Sequence, residues 1–421
     1  MREMKDSGIE WIGKIPKGWS VCRVKNFYYT HKDIVGEKSD VYDRLALTLN
    51  GVVKRSKDDS VGLQPEAFNG YQILRSNELV FKLIDLANIS TSRVGLSPYK
   101  GIVSPAYIIL SPKTDFCQKF AEYYFLSMWQ REVFNHLGDD GVRSSLNASD
   151  LLNTPFIYPP ITEQKKIVDY LNDKCTEIEA VLEKTRASID EYKKLKQTVI
   201  TQAVTKGIRG DRPMKDSGSI WFGNIPVDWD MKKIKYLFHI KKDIAGQEGY
   251  TVLSITQKGI VPKDLSKNEG QLAENYSHYQ LVNPGDYAMN HMDLLTGWVD
   301  ISKYTGVTSP DYRVFVLDDL ESNNRSFYLY LMQMCYSNRI FYGLGQGVSG
   351  MGRWRLQADK FLNFSIVVPS KDEQQEIADY LDAKCAEIDN LISKKEQYIN
   401  EIENYKKSLI YEYVTGKKEV D

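Results

Sequence analysis

A polar loop that places arginine among glycine, serine and amide residues occurs twice in this 421-residue chain, at residues 138–147 and 348–357. Glycine lets a backbone approach a phosphate, and arginine binds guanine or phosphate through two parallel hydrogen bonds. A flexible connector with its arginine in a surface salt bridge is the alternative. Because the arginine recurs while its neighbours differ, we favour nucleic-acid contact. The candidate residues in and beside the two loops are Arg143, Ser144, Asn147, Gln346, Arg353 and Arg355.

A second pair of segments supplies candidate base-reading side chains. Residues 81–85 (FKLID) and 289–293 (MNHMD) end in the same aspartate, but the residues before it differ. Lys82 stands in the first segment, and Asn290 and His291 stand in the second. A shared scaffold with different exposed side chains is what a base-reading surface requires. Turns capped by the two aspartates, with the other residues used for packing, explain the pattern equally well.

Several motifs that suggest catalysis fail on context. Residues 345–350 match GxGxxG but follow a helical pattern instead of a strand, which argues against dinucleotide binding. Residues 163–165 match a nuclease-like ExK on a predicted helix, where neighbouring charges usually form a solvated face. The amino-methyltransferase loop is absent, and the five cysteines and five histidines have no metal-ligand spacing. We therefore predict no catalytic residue, no metal and no cofactor on this chain.

The elements that position these loops are themselves duplicated. Residues 4–8 (MKDSG) recur unchanged as residues 214–218, and the step of 210 residues continues nearly to the end of the chain. Trp11 and Trp19 recur as Trp221 and Trp229, and all four are expected to be core or interface anchors rather than base-stacking platforms. A repeat of this size indicates that a whole domain has been duplicated.

Each copy divides into a mixed segment and a helical tail. β-Branched and aromatic runs predict strands at residues 103–110, 156–158, 312–317 and 365–368. Apolar residues spaced by three and four predict one or two helices in each of the segments 116–137 and 325–344. The predicted fold class is α+β, with a pseudo-two-fold internal repeat.

The tails carry a narrow apolar seam at heptad spacing, which is typical of a coiled coil. Each predicted helix has about 44 residues and is roughly 65 Å long. To bury its seam, the second helix must run antiparallel to the first. The seam residues are Leu171, Ile178, Leu182 and Ile189 in the first helix and Leu381, Ile388, Ile392 and Ile399 in the second.

Composition excludes some classes of protein. The 42% hydrophobic content is enough for packed cores, and no apolar run is long enough to span a bilayer, so we expect a cytoplasmic protein without membrane contact. The net charge is only −1, with the acidic excess in the last segment. DNA affinity from this chain alone would be modest, and a partner would supply further phosphate contacts.

Three groups of motifs, of which the first and third occur in both halves and the second lies in the second half, resemble those of specificity subunits of Type I restriction-modification systems. They are IGKIPKGW (residues 12–19) with FGNIPVDW (222–229); NPGDYAMNHMD (283–293) with SPDY (309–312); and YPPITEQKKIVDYL (158–171) with VPSKDEQQEIADYL (368–381). The resemblance implies target recognition domains at residues 1–160 and 214–369, spacer helices at 161–207 and 370–416, and a linker at 208–213. It also implies that each domain reads half of a bipartite target in double-stranded DNA.

The resemblance further implies that catalysis resides in partner subunits. Two methyltransferase subunits would dock on the helices, and motor-nuclease subunits would join for cleavage. S-adenosylmethionine, Mg²⁺ and ATP would then be bound only by those partners. Two other functions are open at this point: an enzyme in its own right, and a coiled-coil scaffold that bridges two partners without sequence-specific DNA binding.

Overall fold

The structure is a computed structural model that describes residues 2–59, 65–84, 86, 92–114, 116–137, 145–265, 275–347 and 354–420. The chain forms two compact units. The first unit contains Met1–Thr185 and Glu396–Asp421, and the second contains Arg186–Lys395. The sequence interpretation assigned each long helix whole to one copy of the repeat. Each compact unit instead combines one globular head with a part of both helices.

The head of the first unit is built from short strands and two helices. Its helices are α1 (Gln118–Gln130) and α2 (Ala148–Asn153), with 3₁₀ turns at Val24–Asn26, Gly36–Val41 and Val133–His136. Its strands are β1 (Met4–Asp6), β2 (Lys14–Pro16), β3 (Ser20–Arg23), β4 (Tyr28–His31), β5 (Arg44–Thr48), β6 (Gly51–Arg55), β7 (Gln72–Leu74), β8 (Leu79–Phe81), β9 (Val94–Leu96), β10 (Gly101–Val103), β11 (Ile108–Pro112) and β12 (Pro155–Tyr158).

The chain then continues into the long helix α3 (Ile161–Lys206), and the head of the second unit follows. Its strands are β13 (Met214–Asp216), β14 (Asn224–Pro226), β15 (Asp230–Lys233), β16 (Phe238–Lys241), β17 (Leu253–Thr256), β18 (Gly259–Pro262), β19 (Gln280–Val282), β20 (Tyr287–Met289), β21 (Val299–Ile301), β22 (Gly306–Thr308), β23 (Arg313–Leu317) and β24 (Ser365–Val368). Its helices are α4 (Arg325–Ser337), α5 (Ile340–Leu344), α6 (Ala358–Asn363) and the long α7 (Lys371–Val414), with a 3₁₀ turn at Ile234–Tyr236.

The two heads share one sheet topology. The order β4-β11-β8-β9 in the first head recurs as β16-β23-β20-β21 in the second, with antiparallel neighbours throughout. A second sheet, β6-β5-β10-β7, contains the parallel pair β5–β10. Its counterpart in the second head is two antiparallel pairs, β17-β18 and β19-β22, joined by a parallel bridge between Val252 and Val307. The duplication predicted from sequence is therefore confirmed at the level of strand order.

One strand prediction is wrong. Residues 103–110 were predicted to form one strand, but β10 ends at Val103 and β11 begins at Ile108, with a turn between them. A backbone hydrogen bond of 3.1 Å from Tyr107 to Ser104 closes this turn around Pro105, and the amide of Gln72 braces it, because its Nε2 donates to the carbonyls of Ser104 (2.9 Å) and Tyr107 (2.6 Å). In the second unit Gln280 clamps the equivalent turn in the same way, at 2.8 and 2.6 Å.

The other element predictions are confirmed. Residues 312–317, 156–158 and 365–368 contain β23, β12 and β24. The segment 116–137 holds α1 and a 3₁₀ turn, and 325–344 holds α4 and α5. Both α1 and α4 place aromatic side chains in their unit's main core, where apolar area is removed from water. The combination of short strands with helices on the sheet is the predicted α+β class.

The long helices pack antiparallel within each unit. In the first unit, the rings of Tyr170 and Tyr413 are 4.5 Å apart and Glu179 pairs with Lys406. As numbers rise along α3 they fall along α7, which defines an antiparallel pair. In the second unit, the ammonium of Lys196 contacts both carboxylate oxygens of Asp389 at 2.8 and 2.7 Å. Glu179 and Asp389 are 210 residues apart in sequence, as are Lys196 and Lys406, so the two ion pairs are equivalent. The contact between the helices is therefore duplicated together with the heads.

The predicted seam residues are buried or half-buried along these helices. Two of them, Ile392 and Ile399, are half-buried. The others are less than a tenth exposed: Leu171, Ile178, Leu182, Ile189, Leu381 and Ile388. At its ends the seam merges with the cores of the heads, since Leu171 belongs to the core of the first unit and Leu381 to that of the second.

A buried tryptophan holds each head to the start of a long helix. In the first unit, the indole Nε1 of Trp19 donates to Glu163 at 2.8 Å across 144 residues of sequence. Arg2 pairs with the same carboxylate and lies over the Trp19 ring, 5.3 Å from its centroid. The expectation that Glu163 belongs to a solvated helix face is therefore wrong.

The second unit repeats this constellation at a step of 210 residues for all three side chains. Trp229 donates to Glu373 at 2.9 Å, and Arg212 lies 2.6 Å from that carboxylate and 5.2 Å from the centre of the indole ring. Glu373 is more deeply buried than its counterpart in the first unit. Trp19 and Trp229 are fully buried, which confirms that these two are core anchors.

Candidate nucleic-acid interface

In the second unit, the candidate residues Asn290 and His291 stand immediately after β20, where the strand leaves the sheet. The backbone nitrogen of Asn290 donates to the carbonyl of Trp298 at 2.9 Å, and its carbonyl accepts from the hydroxyl of Tyr336 at 2.7 Å. Both candidate side chains are half-buried. Sheet and helix together therefore hold this pair of polar residues at a fixed place.

The second candidate loop is fastened to the same place. Gln346 and Arg355 exchange two backbone hydrogen bonds of 2.8 and 3.0 Å, which closes the base of the loop. The next residue, Leu356, is buried and donates its backbone N–H to the carbonyl of His291 at 3.0 Å. The fold thus brings together four candidates from two segments, Asn290 and His291 in one and Gln346 and Arg355 in the other, which are 55 residues apart at their nearest. Sequence reasoning proposed these segments separately and did not predict that they meet.

His291 is held neutral. Burial lowers its pKa to about 3, and the nearby guanidinium groups of Arg313 and Arg355 act in the same direction. An imidazole with so low a pKa carries one N–H donor and one acceptor near neutral pH. It is therefore suited to a hydrogen bond with a base edge, and not to charge pairing with a phosphate.

Arg313 is a structural residue that sequence reasoning missed. It is 5% exposed, its Nη2 donates to the carbonyl of Leu356 at 2.8 Å, and its guanidinium lies 4.9 Å from the centre of the Phe361 ring. Burial lowers its pKa to about 10. The signal available in the sequence was a single arginine at the start of an otherwise apolar strand.

The side chains of Gln346 and Arg355 are exposed beside this buried support. An exposed arginine on a braced backbone can form paired hydrogen bonds to guanine or phosphate, and glutamine can pair with adenine. Rigid support matters because less side-chain and backbone entropy is lost on binding. The chemistry of the cluster fits contact with nucleic acid.

The first unit has the same backbone hydrogen bond between loop and strand end, but different side chains. Lys82 follows β8, and its backbone N–H donates to the carbonyl of Arg93 at 3.0 Å. Leu146 donates to the carbonyl of Leu83 at 3.0 Å, as Leu356 does to His291. Lys82 is half-buried. The two units therefore present different residues on one backbone arrangement.

Asn147 has a structural task that sequence reasoning missed. It caps α2: its Oδ1 accepts from the backbone N–H groups of Ser149 (2.8 Å) and Asp150 (3.0 Å), and Asp150 accepts from the backbone of Asn147 in return. The spacing Asn-x-x-Asp before a helix was the available signal for this capping box. The remaining candidates, Arg143, Ser144 and Arg353, lie outside the described residues.

A comparison with protein families decides the identity of the fold. The model of the Type I restriction modification DNA specificity domain matches residues 33–187 and again residues 226–404. The chain belongs to this family. It carries two DNA specificity domains, one for each copy of the repeat, and a scaffold without DNA recognition is not favoured.

Relatives and solved structures of the family extend over nearly the whole chain. The MjaVIII specificity subunit of a Type I restriction enzyme from Methanocaldococcus jannaschii is 24% identical over 96% of this chain and 94% of its own length. A chain from a structure describing complex assembly and conformational transition of the Type I R-M system matches with a TM-score of 0.68 and 13% identity, over 96% of this chain and 99% of that chain. This similarity shows that the fold is shared.

Two further observations concern metal-binding groups and membrane-spanning helices. The described ranges contain no group of three or more histidine, cysteine, aspartate or glutamate side chains placed to hold a metal ion. In the same part of the chain, no helix is both long enough and apolar enough to cross a membrane.

Proposed function

We propose that this specificity subunit reads a two-part DNA target without catalysing a reaction itself. Each unit reads one half of the target, and the paired helices set the number of base pairs between the halves. Two methyltransferase subunits dock on the helices and bind S-adenosylmethionine. Motor-nuclease subunits, with ATP and Mg²⁺, join them for cleavage.

The observation that carries this proposal is the contrast between a repeated framework and altered exposed residues. The turn clamps of Gln72 and Gln280 and the Trp–Glu–Arg constellations repeat nearly bond for bond. At the ends of the equivalent strands, however, Lys82 is replaced by Asn290. Duplication that preserves support and changes the exposed side chains is expected of two readers of different half-sites, because side chains at base edges determine sequence preference.

The comparisons support the choice of partners. The archaeal relative is named as the specificity subunit of a restriction enzyme, and the similar solved structure describes assembly of a Type I complex. The near-neutral charge of this chain agrees with a complex in which other subunits contribute phosphate contacts.

The test exchanges the exposed residues of one unit and maps DNA methylation in cells that express the complete system. The variant Asn290→Lys with His291→Leu gives the second unit the residues of the first at these two positions. We expect the methylated motif to change in one half and to stay the same in the other. As a control, Val227→Lys alters an exposed position of the same head outside the cluster and should leave both halves unchanged.

The proposal fails if the variant complex methylates DNA with both half-sites unchanged, or if both half-sites change together. A variant that methylates nothing is resolved by measuring whether the purified chain is folded and still assembles with its methyltransferase subunits. A folded, assembled complex that no longer recognises the altered half-site, but still recognises the other, supports the proposal.

A further inference from the structure

The second unit contains an open cleft next to the candidate interface. Its volume is about 640 Å³, and Tyr276, Tyr279, Tyr312 and Asn290 are among the residues that line it. Val252 also lines the cleft and is 6% exposed. Aromatic rings with a few polar groups at the edge are the usual lining of a small-molecule site.

The first unit has an arginine at the position of Val252. The equivalence follows from the parallel bridges, which join Val252 to Val307 in the second unit and Arg44 to Ile102 in the first. The adjacent backbone hydrogen bonds are equivalent as well: the N–H of Ile102 donates to the carbonyl of Asp43, and the N–H of Val307 to that of Thr251, both at 2.9 Å. Arg44 and Val252 therefore occupy equivalent positions in the two heads.

The aromatic wall of the cleft is also duplicated. Tyr276 and Tyr279 form an edge-to-face pair with ring centres 5.0 Å apart, and Phe68 and Tyr71 form the same pair in the first unit at the same distance. There, the guanidinium of Arg44 lies 5.3 Å from the centre of the Phe68 ring. The arginine side chain thus covers the Phe68 ring, whereas the valine at the equivalent position is too short to cover Tyr276 in this way.

The charges around the two sites differ. In the first unit, Arg44, Arg93 and Arg55 all act to lower the pKa of Tyr107, against the larger effect of burial, so three cations surround the aromatic group. In the second unit, Asp311 helps to raise the pKa of Tyr279, after burial and two neighbouring tyrosines. In the second unit, Val252 replaces Arg44 and Lys263 replaces Arg55, so at these two positions the second site carries one positive charge where the first carries two.

The lining of the second-unit cleft carries more negative than positive charge. Lys263 stands at the position of Arg55, as the pairing of β17 with β18 shows, Asp311 stands at the position of Ala106, and Asp293 also lines the cleft. An aromatic lining with an excess of carboxylates disfavours an anion and suits a planar ligand whose amino or N–H groups donate hydrogen bonds. Nucleobases have these properties, and their faces stack on aromatic rings.

We propose that the cleft of the second unit binds one unstacked nucleobase of the DNA target, with adenine preferred. The base stacks on Tyr276, and the Asn290 amide pairs with its edge: Nδ2 donates to adenine N7, and Oδ1, which also accepts from the backbone N–H of Met292 at 3.2 Å, accepts from N6 with its second lone pair. The first unit has no such site because Arg44 occupies it. This inference rests on the proposed function and adds a binding mode to one of the two readers.

The first experiment measures binding of free nucleosides to the full chain by saturation-transfer NMR, without DNA or partner subunits. We expect adenosine to bind the wild-type chain more tightly than thymidine or cytidine. Val252→Arg, which copies the first unit, and Tyr276→Ala should each weaken adenosine binding about tenfold or more. Tyr276→Phe keeps the ring and should keep binding, and Val227→Arg at an exposed position is the matched control for the arginine.

The second experiment places the base in DNA. Once methylation mapping has identified the target, a duplex with 2-aminopurine at single adenine positions is titrated with the full chain. A fluorescence rise at one position of the second half-site, absent with Val252→Arg, is expected for an unstacked base.

Equal binding of adenosine by Val252→Arg and wild type, or no binding by the wild type, overturns the cleft proposal. So does tighter binding of methylguanidinium than of adenosine, which would make the cleft an organic-cation site. Because free nucleosides need neither duplex nor partners, these results leave the two-half-site function to be decided separately by methylation mapping. If Val252→Arg does not fold, the pair Tyr276→Ala and Tyr276→Phe decides the question.

Discussion

The glutamate at the start of α7 should be much more important for stability than its copy at the start of α3. Glu373 has a side chain that is 1% exposed, and it accepts from Trp229 while lying 2.6 Å from Arg212. Replacing Glu373 by glutamine keeps an acceptor for the indole but removes the charge that faces the guanidinium. Arg212, itself 14% exposed, then keeps the carboxylate of Asp228, 3.8 Å away, and a contact of 3.4 Å with the backbone carbonyl of Lys206.

The expected loss in the free energy of unfolding follows from burial. Removing one partner of a buried ion pair costs about 3–5 kcal/mol, because the remaining charge is left without compensation. The retained hydrogen bond and the distant aspartate place Glu373→Gln near 3 kcal/mol. In the first unit, Glu163 and Arg2 are each 23% exposed, so water can solvate the arginine in Glu163→Gln. We expect about 1 kcal/mol there.

Hydrogen exchange resolved by peptide is the appropriate assay, because two units need not unfold in one transition. Glu373→Gln should lower protection in the second unit and leave the first nearly unchanged. Adding Arg212→Met should restore most of the loss, since no unpaired charge remains. Equal losses for the two glutamine variants, or no recovery in the double variant, would refute the reasoning from burial.

Three further predictions concern single contacts. Gln280→Ala should destabilise the second unit by about 1–2 kcal/mol in urea unfolding, because the half-buried carbonyls of Ser309 and Tyr312 lose the amide of Gln280 as a donor. Lys196→Ala should cost less than about 1 kcal/mol and lose its effect in high salt, since its pair with Asp389 is largely exposed. The pKa of His291 is lowered to about 3 in the folded state, so its contribution is complete above the unfolded value near 6.5 and is lost as pH falls below it. Unfolding at pH 5 and 7.5 should show this slope, and His291→Leu should reduce it.

Local pattern was sufficient to predict the long helices. Heptad spacing depends on one helix and its partner, and Leu171 and Leu381 are buried as that spacing requires. The antiparallel direction followed from connectivity, because a second helix that starts at the far end of the first must run back along it. The contacts of Glu179 and Lys196 confirm that direction in each unit.

Long-range contacts could not be predicted in this way. Pro105 is a local signal for the turn after Val103, but the brace that the side chain of Gln72 supplies, 32 residues from Ser104 in sequence, has none. Glu163 resembled an exposed helical charge because nothing in its neighbourhood reveals that Trp19 donates to it.

The candidate interface was predicted only in part. Comparing the two copies identified Asn290 and Arg355 as variable polar positions on a repeated frame. Their proximity depends on the bond from Leu356 to His291, which joins segments far apart in sequence. The cleft was missed altogether, because the difference between Arg44 and Val252 has meaning only when both are seen against the aromatic pair.

The most direct test of two readers held by a spacer is to lengthen the spacer alone. One heptad is inserted into α3 after Thr185 and another into α7 after Lys395, at the boundaries between the compact units, so that each unit keeps its own residues. Seven helical residues add about 10.5 Å, or about three base pairs at 3.4 Å each. Methylation mapping should then show both half-sites unchanged and a gap longer by about three base pairs. An unchanged gap in an active complex, or half-sites that change with helix length, would contradict the account.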